Sequence, residues 1–131
     1  MTWTEHHERM TFMANVIDRA SVSAEEALRF DSDEIAELER LFGDEERLML
    51  ALRQRWMTTL TAKLDQAAHE GVPAAQVRAR LAAAQPGLRA LLDAAARGSV
   101  RLRALDRGEQ RTLDYFDGPN PLLRDDRDDA A

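Results

Sequence analysis

The chain has no cysteine, which excludes disulfides and thiolate metal sites. It has a single lysine, Lys63, beside 17 arginines, a bias that reads as GC-rich codon usage before it reads as function. Aromatic residues make up only 5% of the sequence, and histidine occurs three times. No apolar run approaches the roughly 18–20 residues of a membrane span. Glu5 and Glu8 fall where a secretory signal would carry its apolar stretch. The compartment expected from these features is the cytoplasm, with no membrane association. β-Branched residues are sparse while Ala, Leu, Arg and Glu dominate, which predicts helix nearly everywhere. At 131 residues, one domain with a modest core is expected.

What is present is organised around one stretch, Asp44 to Glu70. Asp44 is a good N-cap, and Glu45 and Glu46 place negative charge at the positive end of the helix dipole. Gly71 and Pro73 supply the stop. Between them Leu48, Leu52, Trp56, Leu60 and Leu64 recur at steps of four, with Ala68 extending the row and Met49 and Ala67 widening it. Arg47, Arg53, Arg55 and Lys63 are expected largely off this row. Leu50 and Met57 lie outside it, so the helix is expected to touch neighbours on two sides and to serve as the rod on which the others pack.

The remaining segments also read as helices. Residues 2–20 carry Trp3, Met10, Met13 or Ala14, and Ile17 at helical spacing, flanked by Phe12 and Val16. Ser23 to Glu26 matches a capping box, opening a short helix over 24–30. Asp31 or Ser32 caps another over 33–42, with Ile35, Leu38, Leu41 and Phe42 as its apolar edge. Pro73 is expected at the first helical position of the next, which buries Val77, Leu81 and Ala84. Gln85-Pro86-Gly87 breaks the pattern, and Leu88 to Arg97 forms a further helix. Ser99 caps a last helix through Phe116, with a kink or break plausible at Gly108. The fold class is all-α: a bundle of five to six helices spanning residues 1–117. The acidic tail over 118–131 is expected to be disordered.

The net charge of −6 conceals a layout. Residues 1–75 carry 15 acids and 8 bases, residues 76–112 carry 8 Arg against 3 acids, and residues 113–131 carry 6 Asp against 2 Arg. Such blocks attract each other within or between chains. The most function-like feature is the Arg series in the basic block. Arg78, Arg89, Arg97, Arg101, Arg103, Arg107 and Arg111 are the candidate anion- or partner-binding residues, with Arg80 beside them, because guanidinium groups grip carboxylates and phosphates. Nucleic-acid binding is disfavoured. No aromatic residue is interleaved in the Arg101–Arg107 run, and the acidic blocks repel a phosphate backbone.

Metal chemistry finds little footing. His6 and His7 are adjacent and point about 100° apart on a helix. Asp65 and His69 stand four apart, but two ligands make a weak site. The acidic run from Asp31 to Glu39 lacks a calcium loop's spacing. There is no Gly-rich phosphate loop, Gly-x-Ser-x-Gly elbow or triad. The sequence names no catalytic residue, metal ligand or cofactor. It favours a non-enzymatic interaction or regulatory module that binds a protein partner or a second copy of itself, most simply as a homodimer. The competing class is a small-molecule enzyme or ligand-binding bundle with an Arg-lined pocket, and the third is a nucleic-acid binder through residues 78–111.

Overall fold

The structure is a computed structural model that describes residues 2–118. Within them the chain forms α1 (Trp3–Ala20), α2 (Ala24–Ala27), α3 (Ser32–Phe42), α4 (Glu45–Ala68), α5 (Ala74–Ala84), α6 (Pro86–Gly98) and α7 (Val100–Asp117). There is no strand among the described residues. The bundle is all-α, six helices of eleven residues or more plus the single turn α2. None of these helices is long and apolar enough to cross a membrane. The expected tail lies, beyond Gly118, outside the described residues.

The helix boundaries follow local chemistry. Asp44 accepts from the Arg47 N–H at 2.8 Å and opens α4. Asp31 and Glu34 form a reciprocal capping box at the start of α3. Ser99 accepts from the Leu102 N–H and starts α7. Gly43 and Gly71 take positive φ at the ends of α3 and α4, a conformation that costs side-chain-bearing residues energy. Some edges differ from expectation. Pro73 is the N-cap of α5 rather than its first residue, and Pro86 already begins α6 at its first turn. The short helix after Ser23 ends at Ala27. α7 runs unbroken through Gly108, whose carbonyl accepts from the Thr112 hydroxyl at 3.1 Å.

The α4 row is the centre of the core. Leu48, Leu52, Trp56, Leu60 and Leu64 are all buried. Each such leucine contributes about 1.5–3 kcal/mol relative to full exposure. The row continues through Ala67, not Ala68, because steps of four overshoot a 3.6-residue turn. α4 packs against α3, α5, α6 and α7. The expectation that every helix leans on α4 is corrected by α1, which packs chiefly on α6, and by α2, which packs on α1 and then on α6. Gly87 explains how α6 reaches them: a Cβ there would sit 2.2 Å from the Ile17 carbonyl oxygen.

Three further corrections concern which side chains are inside, the first being Ala84 of α5, which stands exposed beyond the buried Val77 and Leu81. In α1 the buried row is Phe12, Met13, Val16 and Ala20. Trp3 stands 80% exposed, and Met10 is also exposed. The reason is reach, since α1 meets the α3 end only from about Glu8 onward, where Glu8 pairs with Arg40 and Arg9 covers the Phe42 ring. Arg53, expected off the α4 row, is buried at 7% exposure.

Candidate functional site

The buried Arg53 leads to a network of linked, largely buried ion pairs among the described residues. In α7 the apolar positions Leu102, Leu105, Leu113 and Phe116 face inward or partly inward, and Glu109 sits in the same row at 5% exposure. A carboxylate in that place must be paired. Oε1 of Glu109 accepts from Trp56 Nε1 at 2.6 Å, from Arg53 Nη1 at 3.1 Å and from Arg89 Nη1 at 3.3 Å. Oε2 accepts from Arg78 Nε at 2.6 Å. The guanidiniums are themselves held in place. Arg53 Nη2 donates to Asp106 at 2.6 Å. Arg89 donates to Asp93 through Nε and Nη2 at 3.0 and 2.8 Å. The Arg89 guanidinium also lies over the Trp56 ring, 4.8 Å from its centroid.

The assembly joins α4, α5, α6 and α7 at one carboxylate. It sets Arg53, Arg78 and Arg89 against Asp93, Asp106 and Glu109, so its formal charges cancel. Beside it opens a cleft of about 380 Å³, whose wall includes Arg78, Arg89, Gln110 and Leu113. At the far side of this cleft Asp117 accepts from the Ala74 N–H at 2.7 Å. Asp117 thereby caps α5, whose own N-cap Pro73 offers no side-chain acceptor.

The electrostatics define what Glu109 can do. Burial alone would raise its pKa, but the Arg78 hydrogen bond, the charges of Arg89 and Arg78 and the Trp56 N–H outweigh burial. Its carboxyl is held below the usual carboxylate range. At neutral pH it is therefore ionised and has no proton to donate as a general acid. With four donors already on its two oxygens it is also a weak general base. Every buried side-chain polar atom among the described residues has a partner. The cluster is a structural clasp.

The seven arginines picked out in the sequence divide into two groups. Arg78 and Arg89 turn inward to Glu109. Arg97, Arg101, Arg103, Arg107 and Arg111 are exposed. Of these, Arg101 pairs with Glu46 at 2.9 Å, and Arg103 donates to the Ala96 carbonyl at 3.2 Å. Arg97, Arg107 and Arg111 form no ion pair among the described residues. On α7 the positions Val100, Ala104, Arg107, Arg111 and Tyr115, spaced 4, 3, 4 and 4, make one outward stripe. All five are exposed, Val100 at 73% and Tyr115 at 77%.

The sequence reading missed Arg53, Trp56, Asp93, Asp106 and Glu109 as a unit. A signal existed for Glu109, which lies seven residues after Leu102 and four before Leu113, squarely in the apolar row. Arg89 carried the same signal, falling between Leu88 and Leu92 on the buried side of α6. The histidines lie apart: His6 sits by the Trp3 ring at 6.3 Å, and His69 is the C-cap of α4. Among the described residues no three His, Asp or Glu side chains gather as a metal-binding group. No protein-family model matches the chain, and no curated protein or solved structure is significantly similar to it.

Proposed function

We propose that the protein is a non-enzymatic helical interaction module that docks an acidic surface of another protein onto the outward face of α7. The observation that carries this reading is the stripe Val100, Ala104, Arg107, Arg111 and Tyr115, exposed along its length, with Arg107 and Arg111 free of ion pairs among the described residues. Tyrosine and arginine are the residue types that concentrate binding energy at protein interfaces. Their charge selects a partner of opposite sign. A second copy of the chain supplies such a surface, because residues 1–75 carry 15 acids and 8 bases, and self-association is the first case to examine. The reading of an Arg-lined catalytic or ligand pocket draws less support from the Glu109 cleft, where the two lining guanidiniums, Arg78 and Arg89, are already engaged by carboxylates.

A photo-reactive phenylalanine in place of Tyr115, expressed in the native cell, tests the proposal. Cross-linking to a discrete protein, lost in the Arg107→Glu/Arg111→Glu variant, is the expected result. Light scattering of the purified protein then tells self-association from a different partner. Labelling no stronger than at an exposed control position such as Gln54 overturns the reading. The same outward arginines favour one second reading, a nucleic-acid backbone. It predicts steep loss of binding with salt, and failure to be retained on heparin removes it.

A further inference from the structure

The end of α4 and the later turns of α5 lie against each other and line a half-open pocket of about 320 Å³. That is within the size range of small-ligand sites. It shares no lining residue with the Glu109 cleft. Each helix contributes the same pattern at i, i+3 and i+4: Lys63, Gln66 and Ala67 from α4, and Val77, Arg80 and Leu81 from α5. The floor is apolar because Ala67, Val77 and Leu81 are buried, and Ala67 is too small to fill the space between the helices. The rim is cationic. Lys63, the only lysine of the chain, and Arg80 both stand exposed on the pocket. Neither forms an ion pair or a side-chain hydrogen bond among the described residues.

An apolar floor under two free cations suits one ligand chemistry. Hydrocarbon gains by leaving water for Ala67, Val77 and Leu81. A carboxylate gains charge-assisted hydrogen bonds from the ammonium and the guanidinium. The Gln66 amide adds a neutral donor. Glu70 also lines the pocket, so that with Lys63 and Arg80 the lining carries one net positive charge, which matches a monoanion better than a dianion.

We propose that this pocket binds a small amphipathic monoanion, an apolar carboxylic acid with its hydrocarbon on Ala67, Val77 and Leu81 and its carboxylate held by Lys63 and Arg80. The site is independent of the α7 face, and either stands without the other.

The test is an amide-shift titration of the full chain by NMR with octanoate, octanol and inorganic phosphate as separate probes. Octanoate is expected to give saturable shifts confined to residues 63–72 and 77–84. Octanol is expected to bind about tenfold more weakly, since it lacks the charge-assisted hydrogen bonds. Phosphate, with no hydrocarbon for the floor, is expected to give no saturable shift. The Lys63→Met/Arg80→Met variant is expected to lose octanoate affinity by about the same factor. The Ala84→Trp variant, which fills the pocket mouth from an exposed position, is expected to abolish binding while leaving the thermal unfolding curve in place. The proposal is overturned if octanoate gives no saturable shifts in the unaltered protein. Equal affinity for octanol, phosphate binding as tight as octanoate, or full octanoate binding by the double variant also overturns it. Should the double variant fail to fold, the octanoate-to-octanol ratio on the unaltered protein decides alone.

Discussion

Trp56 of α4 donates its indole N–H to Oε1 of Glu109 in α7 at 2.6 Å, across 53 residues of chain. That bond, with Arg53–Asp106 before it and Arg101–Glu46 before that, shows α4 and α7 running side by side in the same direction. The indole also fixes one face of Arg89 through the ring. A core tryptophan and a core glutamate thus serve as each other's polar partner, and the arginines neutralise what remains.

Removing the carboxylate alone should be costly. Glu109→Ala leaves the buried Arg53 and Arg89 without their common acceptor, and unpairing buried charge of this kind costs about 3–5 kcal/mol. Urea unfolding should show the loss as a lowered midpoint with the slope retained. Replacing the three buried charges, as in Arg53→Met/Arg89→Met/Glu109→Leu, should cost less, because desolvation of the charges is removed together with their attraction and the main loss left is the Trp56 N–H without its acceptor. A triple variant as unstable as the single one would show that the cluster contributes net stability and not only pairing.

Acid should find the same weak point. The folded-state pKa of Glu109 is lowered from its ordinary value of 4.5, so the folded form binds its proton less readily than the unfolded chain does. Its stabilisation is fully present above the unfolded value and is lost as pH falls through the folded one. The urea midpoint should therefore hold near neutral pH and decline below about 4.5 as the unfolded chain takes up protons first. In Glu109→Gln this component of the decline should vanish, leaving a shallower profile on a lower plateau.

Two glycines on neighbouring helices should respond in opposite directions to the same change. Gly87→Ala drives a methyl to 2.2 Å from the Ile17 carbonyl oxygen, a backbone atom that moves only if α1 lifts off α6. The cost expected is about 3 kcal/mol or more. Gly108→Ala meets nothing nearer than the flexible end of Arg111 at 3.8 Å. Within an unbroken helix it should raise stability by about 0.5–1 kcal/mol. Thermal melts of the two variants separate a packing glycine from a tolerated one.

The α4 rod was legible because its caps and its apolar row are local signals that agree with each other. Asp44, Leu48, Trp56 and Gly71 each sit where sequence spacing places them. The exposed Trp3 was not legible, because burial there depends on whether a neighbour extends that far, and α3 does not. The clasp was half legible. A charged residue inside an apolar row, as at Arg89 and Glu109, is visible as an anomaly in one helix at a time. Their convergence is set by the packing of four helices and by a 20-residue separation that no periodicity encodes. The spacing places Arg53 off the apolar row for the same reason: one position past Leu52, its environment is decided by α7 and not by α4.

The start of α5 depends on the end of α7. Pro73 cannot cap it with a side chain, and the Ala74 N–H donates instead to Asp117 at 2.7 Å. A carboxylate at a helix N-terminus satisfies a free donor and meets the positive end of the dipole. Asp117→Ala should lower stability by about 1 kcal/mol. Asp117→Asn should recover part of this, since the amide oxygen still accepts but the charge is gone. Hydrogen exchange adds the discriminating detail, because the Ala74 to Val77 amides should lose protection in Asp117→Ala while those of α1 do not. Equal loss across both helices would mean that Asp117 acts on the fold as a whole and not as the cap of α5.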